Sequence, residues 1–403
     1  MQGKGKTEPQ GNPQKWSSLW IVLGTVLVII VGVYTAGTSK LLPIQYQVEA
    51  DPQATSTPTK PKLDTLGYDL RLLALAHVAT SSLWYEYFLT GTNTPRLVVV
   101  STTTATSTNS GQASSTVATT TMLVTPKVTK QPWPVKTVYP EYGALLPFKR
   151  IVAYYGNYYS KQMGVLGEYP EDEVLAKLAS TTAIWEAADP KTPVIPAIDY
   201  IAVTAQAAAG QDGLYRARMP DSQIDKALEM AAKINGLVIL DVQVGKSTLQ
   251  EELPALEPYL KLPNVELAID PEFSMKGTAP PGRIIGTYNA EDINYAIDFL
   301  SQLVKEGELP PKVLIIHRFT WDMVTEYENI KPTPQVQVVM DMDGWGYPEK
   351  KVVTYNAIVA AEPVQFTGFK IFYHNDLRPP STRLITPEEV LNLTPAPIFI
   401  QYQ

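Results

Sequence analysis

From residue 150 onward, short β-rich runs alternate with stretches of helical periodicity, and that alternation limits what the chain can fold into. The runs are RIVAYYG (150–156), PVIPAIDYIAV (193–203), LVILDVQV (237–244), VELAIDPEF (265–273), KVLIIHRF (312–319), VQVVMDMDG (336–344), FTGFKIFYHND (366–376) and PIFIQYQ (397–403). Between them lie amphipathic segments at 171–189, 221–236 and 290–308. The last carries Glu291 and Asp292 in its first turn, where negative charge suits the helix dipole. Strands that alternate with helices pair in parallel, because each crossover helix returns the chain to the same end of the sheet. Eight such units over about 250 residues match the size of a (β/α)8 barrel. An open, doubly wound sheet is the other arrangement. No GxGxxG follows the first run, which disfavours its dinucleotide-binding form. The expected fold class is therefore α/β, a TIM-type (β/α)8 barrel over residues 150–403, preceded by a transmembrane helix and a low-complexity linker.

The chain ahead of residue 150 has a different character. Residues 19–37 (LWIVLGTVLVIIVGVYTAG) carry no charge and are long enough to cross a hydrocarbon core. Trp16 and Trp20 stand where an interfacial aromatic belt would lie. Lys4, Lys6 and Lys15 precede the run and only Lys40 follows closely, so residues 1–18 are expected in the cytoplasm. The alternative is a cleaved signal peptide, but Ala36 and Gly37 make a weak cleavage site. The expected location is thus the cell membrane, single-pass, with the barrel extracytoplasmic. Residues 38–149 read as a Ser/Thr/Pro-rich linker with a short apolar segment near 66–90. Within it, residues 100–121 are so rich in Ser and Thr that disorder is expected, since they can bury little apolar surface.

Several function classes fall away on composition. The chain has no cysteine, which removes disulfides, thiolate catalysis and cysteine-ligated metals. Its only histidines are His77, His317 and His374, too few for a His-rich metal centre. No Gly-rich phosphate cradle follows the seventh run, and no cofactor is expected. The formal charge is −7, which gives no footprint for nucleic acid.

Side chains alternate across a strand, so each run sorts its residues into two faces. In the fourth run Val265, Leu267 and Ile269 share one parity, while Glu266, Ala268, Asp270 and Glu272 share the other. The third run sets Val238, Leu240 and Val242 against Ile239, Asp241 and Gln243. The sixth sets Val336, Val338 and Met340 against Gln337, Val339, Asp341 and Asp343. The apolar parity is expected under the helices and the polar parity on the barrel axis. Asp199 and His317 end two further runs, and Lys370 lies mid-run, where it is expected to face inward as a counter-charge to the acids.

The C-terminal ends of barrel strands are where sites form. Carboxylates that converge there raise one another's pKa, which suits glycoside hydrolysis: one protonated acid and one ionised carboxylate across the scissile bond. The candidate catalytic residues are Glu272 as acid, with Asp241 or Asp341 as its counterpart and Asp270 as a further half of the pair. Candidate substrate-binding residues are Tyr155, Asp199, Gln243, His317, Asp343, Trp345, Lys370 and Tyr373. Aromatics beside carboxylates suit sugar rings, and Trp345 sits between glycines in GWGYPEK (344–350).

The series IVAYYGNYYSKQMGVLGEYP, ILDVQVGKS, LAIDPEFSM, IIHRF, MDGWG and GFKIFYHND resembles an uncharacterised family of bacterial extracytoplasmic proteins, over about residues 145–403. The resemblance implies a glycoside-hydrolase-like (β/α)8 barrel behind an N-terminal signal or anchor. It implies no residue roles. Three readings remain open at this point: a surface-anchored glycosidase, a non-catalytic glycan-binding or envelope-scaffold protein, and a divalent-metal site built from Asp241, Asp270, Asp341 and Asp343. The expected partners are a polysaccharide or other glycan and, through the N-terminal helix, a membrane.

Overall fold

A computed structural model of the chain describes residues 61–93, 95–107 and 113–403. The eight β-rich runs form eight strands: Arg150–Gly156, Val194–Ala205, Leu237–Val242, Val265–Ile269, Lys312–Arg318, Val336–Met342, Phe366–Ile371 and Phe399–Tyr402. Each pairs in parallel with its neighbours in sequence. The eighth pairs with the first, Tyr402 opposite Tyr154, so the barrel closes on itself. A three-residue strand, Arg216–Arg218, adds antiparallel to the end of the second.

The parity of the sequence sorts the core into two layers. Val152, Leu240, Leu267, Ile316, Met340 and Ile371 point outward, packing with Leu178, Trp185, Ile224, Leu253, Ile297 and Leu300. Those partners belong to helices Glu171–Ala188, Asp221–Lys233, Leu249–Leu260 and Ala290–Gly307. Ile151, Ala153, Ala197, Ile239, Ala268, Ile315, Val339 and Phe399 point inward and fill the lower interior. A parallel barrel leaves the apolar N-terminal end of this interior to be covered.

The cover comes from the segment expected to be linker. Helices Thr65–Leu75 and Leu83–Thr90 start on side-chain caps, Asp64 accepting from the Gly67 N–H and Ser82 from the Tyr85 N–H. Their Tyr68, Leu72, Leu73, Trp84 and Phe88 join the inward-facing cluster. His77 ties this floor to the far end of the chain. Its Nε2 lies 3.0 Å from the carbonyl oxygens of both Leu391 and Leu393, and two acceptors require that nitrogen to carry the proton. Residues Pro61–Gln403 accordingly make one compact unit, which takes in the apolar segment near 66–90 as well as the barrel expected from residue 150. Leu73→Ala is expected to cost about 3 kcal/mol of unfolding free energy through the cavity it leaves. Urea denaturation measures this, and a cost near zero would place the segment outside the cooperative unit.

A second difference concerns the Ser/Thr-rich stretch. Arg96–Ser107 and Ala113–Val124 pair as an antiparallel two-stranded ladder, Arg96 opposite Val124 and Ser107 opposite Ala113. Threonine and valine are β-branched and favour extended backbone, a preference that a low-hydrophobicity argument does not count. The cytoplasmic tail and transmembrane helix expected at 1–18 and 19–37 lie outside the described residues. Among the described residues, no helix is long and apolar enough to cross a membrane.

Candidate active site

At the C-terminal end of the strands the barrel opens into a cavity of about 480 Å³. Tyr155, Gln243, Asp270, Glu272, Asp343 and Lys370 line it, with Phe273, Phe319, Trp345 and Phe372 around the rim. Asp241, Asp341, Asp199 and His317 do not reach it. They are fully buried one layer deeper. Register explains the split: Asp241 stands opposite Ala268, and Asp341 opposite His317. Asp270 and Asp343 come later on their strands and stand one inward step nearer the mouth. Asp241 and Asp341, expected as catalytic counterparts, thus stand beneath the cavity, with Asp199 beside them. Parity fixes the face of a strand but not the height along the barrel axis.

His317 is the hub of the lower layer. Its Nε2 lies 2.7 Å from Asp241 Oδ2, and its Nδ1 lies 3.3 Å from Asp343 Oδ2 and 3.4 Å from Asp341 Oδ2. Burial opposes a charged imidazole, but Asp241 and the other two carboxylates outweigh it and hold the pKa well above that of an ordinary histidine. Six carboxyl groups crowd around two cations, His317 and Lys370, so several must keep their protons. Burial, reinforced by Asp241, raises Asp199 well above the carboxylate range. It does the same for Asp270 and raises Asp341. Asp199 also accepts from the Gln401 amide. Gly368 faces inward before Lys370, and a Cβ there would lie 2.5 Å from Asp341 Oδ1, so the seventh strand needs a glycine to pass that carboxylate.

The mouth itself holds two carboxyls with opposite character. Asp343 lies 3.1 Å from Lys370 Nζ, besides its contact with His317. Burial pushes its pKa up, but Lys370 and His317 overcome this and hold it below the usual value. Among the described residues Glu272 makes no ion pair, and Lys370 and His317 lower its pKa less than burial raises it. Burial, then the Asp343 charge, pushes it up to about 7. Asp270 sets its position: Asp270 Oδ1 accepts from the Glu272 N–H at 3.0 Å, capping the turn Pro271–Phe273. Gly286 donates to the Glu272 carbonyl at 2.7 Å and closes the other side of that turn.

Tyr155 and Gln243 complete the wall. The Gln243 amide donates to the Tyr155 hydroxyl at 3.1 Å, and its oxygen accepts from the Ala205 N–H. Lys370 Nζ sits 3.9 Å from the centre of the Tyr155 ring, so the aromatic face and Asp343 hold the ammonium together. Trp345 is 45% exposed at the rim. Its loop is pinned from below by Asp376, which accepts from the Gly346 and Phe372 N–H groups and pairs with Lys351 at 2.9 Å.

Tyr373 does not line this cavity. Its hydroxyl lies 3.0 Å from that of Tyr154 and its ring stacks on Tyr402, in the outer layer beneath the helices. Phe372 lines the cavity in its place. Consistent parity shows this: Phe372 shares a face with Lys370, while Tyr373 shares one with the outward Phe369 and Ile371. Gln162 and Met163, also on the wall, arrive on a loop that carries no such signal. Among the described residues no group of three or more His, Asp or Glu is placed to hold a cation, because His317 and Lys370 already stand between the acids.

No protein-family model matches the chain, and no curated protein matches it. Among solved structures it is similar to that of a ruminal GH26 endo-beta-1,4-mannanase, at 11% identity, a TM-score of 0.32, and coverage of 77% of this chain and 78% of that one. So distant a likeness adds nothing to the site; the closed barrel stands on its own strand pairings. The family resemblance drawn from the sequence motifs rests on those motifs alone.

Proposed function

We propose that the chain is a membrane-anchored, extracytoplasmic glycoside hydrolase acting on a cell-envelope or extracellular polysaccharide. The observation that carries the reading is the pair Glu272 and Asp343. Both line one cavity, one carboxyl raised to about 7 and the other lowered by Lys370 and His317. Two carboxyls pushed apart in this way suit an acid and an ionised partner. Protonated Glu272 donates to the glycosidic oxygen as the C–O bond to the anomeric carbon breaks. Ionised Asp343 stabilises the positive charge that develops there, as nucleophile or as base for the incoming water. Asp270 positions Glu272, and Gln243 and Tyr155 offer polar contacts to sugar hydroxyls. Anchoring is supported by the uncharged run at 19–37 with lysines ahead of it.

Release of reducing ends from a panel of envelope and secreted polysaccharides tests the reading. Retention of a glycan by the wild type with no turnover favours the non-catalytic binding protein instead. Trp345 offers the rim its largest exposed aromatic surface. Trp345→Ala is expected to raise KM about tenfold with a smaller change in kcat, as lost stacking of roughly 1 kcal/mol or more implies. An unchanged KM would remove Trp345 from the binding surface.

A further inference from the structure

The acid-lined mouth continues sideways into a second lobe of about 510 Å³. The two lobes share Gln162, Phe372 and Gln403, so one chain of sugars can occupy both. Their chemistry differs sharply. Lys161, His374 and Arg378 stand on the wall of the second lobe. Among the described residues neither Lys161 nor Arg378 has a carboxylate within ion-pairing distance. Arg378 instead lies over the Trp345 ring, 5.4 Å from its centre, with Lys350 4.8 Å from the same ring. Glu168, the one Asp or Glu side chain of the lobe, is engaged with His374 at 2.9 and 3.1 Å. Lys161 and Arg378 therefore face the lobe with no carboxylate partner among the described residues.

These two cations stand in an acidic protein. The chain as a whole is formally −7, so no general basic field accounts for them. Neutral sugars are held by amides, carboxylates and aromatic faces, and have no need of two unpaired cations. We propose that the lobe seats an anionic substituent, a carboxylate or a sulfate ester, on the glycan that occupies the mouth, so that the substrate is an acidic polysaccharide. The inference rests on the reading of the mouth as a glycan site. The mouth tolerates such a chain because the Asp343 charge is met by Lys370 and His317 and the Asp270 carboxyl keeps its proton.

The test uses paired probes on the full-length chain, by affinity electrophoresis and calorimetry. Polygalacturonate and alginate are compared with their carboxyl-reduced forms, and dextran sulfate with dextran. At least one anionic member is expected to bind about tenfold more tightly than its neutral counterpart, a preference that fades as salt screens it. The carboxylate and sulfate arms identify which group the lobe takes. Lys161→Gln combined with Arg378→Gln is expected to abolish the preference with the melting temperature unchanged. The charge-reversing Lys161→Glu is expected to turn it into discrimination against the anionic form. Equal binding of both members of every pair, or a preference that survives the double substitution, overturns the inference and leaves the glycan reading standing. Turnover of a neutral glycan with no acidic one bound does the same. Failure to bind or cleave any glycan, acidic or neutral, overturns the reading of the mouth and the inference with it.

Discussion

Glu272→Gln is expected to lower turnover of the cognate polysaccharide roughly a thousandfold while leaving its binding nearly unchanged, the scale on which positioned proton donors act. The glutamine fills the same space and keeps the backbone bonds to Asp270 and Gly286. What it cannot do is give up a proton. The pH profile should carry the same information. A donor with a pKa of about 7 makes activity fall as pH rises above 7, and the lowered Asp343 keeps its partner ionised well into acid. The alkaline limb should vanish from the residual activity of the variant. Stability supplies an independent readout. The folded chain holds the Glu272 proton more tightly than the unfolded chain, whose glutamate titrates near 4.5. Wild-type stability is therefore lost as pH rises from about 4.5 to about 7. Glutamine has no such slope, so the variant should be the more stable protein at pH 8, by on the order of 2 kcal/mol. Full activity in Glu272→Gln would sink the assignment of the donor; an identical pH–stability profile would show that its carboxyl is not perturbed.

Much of this was legible because two periodicities are so regular. Eight alternations of strand and helix give the barrel, and parity within a strand gives the face. Asp270, Glu272, Asp343, Lys370 and Gln243 reach the cavity as the alternation requires. The same alternation puts Phe372 on the face of Lys370 and Tyr373 on that of Phe369 and Ile371, so aromatic character alone does not tell which of the two meets the cavity. Depth along the axis was not legible. Asp241 and Asp341 have the right parity, but how far each strand has slid past its neighbour is a property of the closed sheet, and no single strand encodes it. The floor was illegible for a related reason. Leu72, Leu73, Trp84 and Phe88 look like a stray apolar patch until the open end of a barrel is there to receive them. Lys161 and Arg378 lie more than 200 residues apart, and only the fold makes them neighbours across one lobe.

Replacing His317 by leucine should produce the largest loss of stability of any single change in the lower layer. Among the described residues, the His317 ring alone lies within 3.4 Å of Asp241, Asp341 and Asp343 together. Leucine leaves these buried acids with Lys370 alone, and an uncompensated buried charge costs about 3–5 kcal/mol. The size of the loss should vary with pH in a way that identifies its cause. The folded pKa of His317 lies above its unfolded value of 6.5, so its contribution is complete below 6.5 and is lost as pH rises toward the folded value. In the variant Asp341 and Asp343 lose the His317 charge that lowers their pKa, so they hold protons more tightly and falling pH relieves them. The difference between wild type and variant should thus be greatest near pH 6.5–7 and shrink on both sides. Urea denaturation at pH 4.5, 7 and 9 resolves that shape. A second substitution, Asp241→Asn, removes the carboxyl group that lies 2.7 Å from the lost ring and should recover part of the loss, giving a coupling energy above about 1 kcal/mol between the two positions. A purely steric role for the imidazole would give a loss independent of pH and no recovery from asparagine. The same ion pairs hold Asp343 ionised at the mouth, so the coupling measured in the buried layer is also a measure of what sets the reactive carboxylate apart from Glu272.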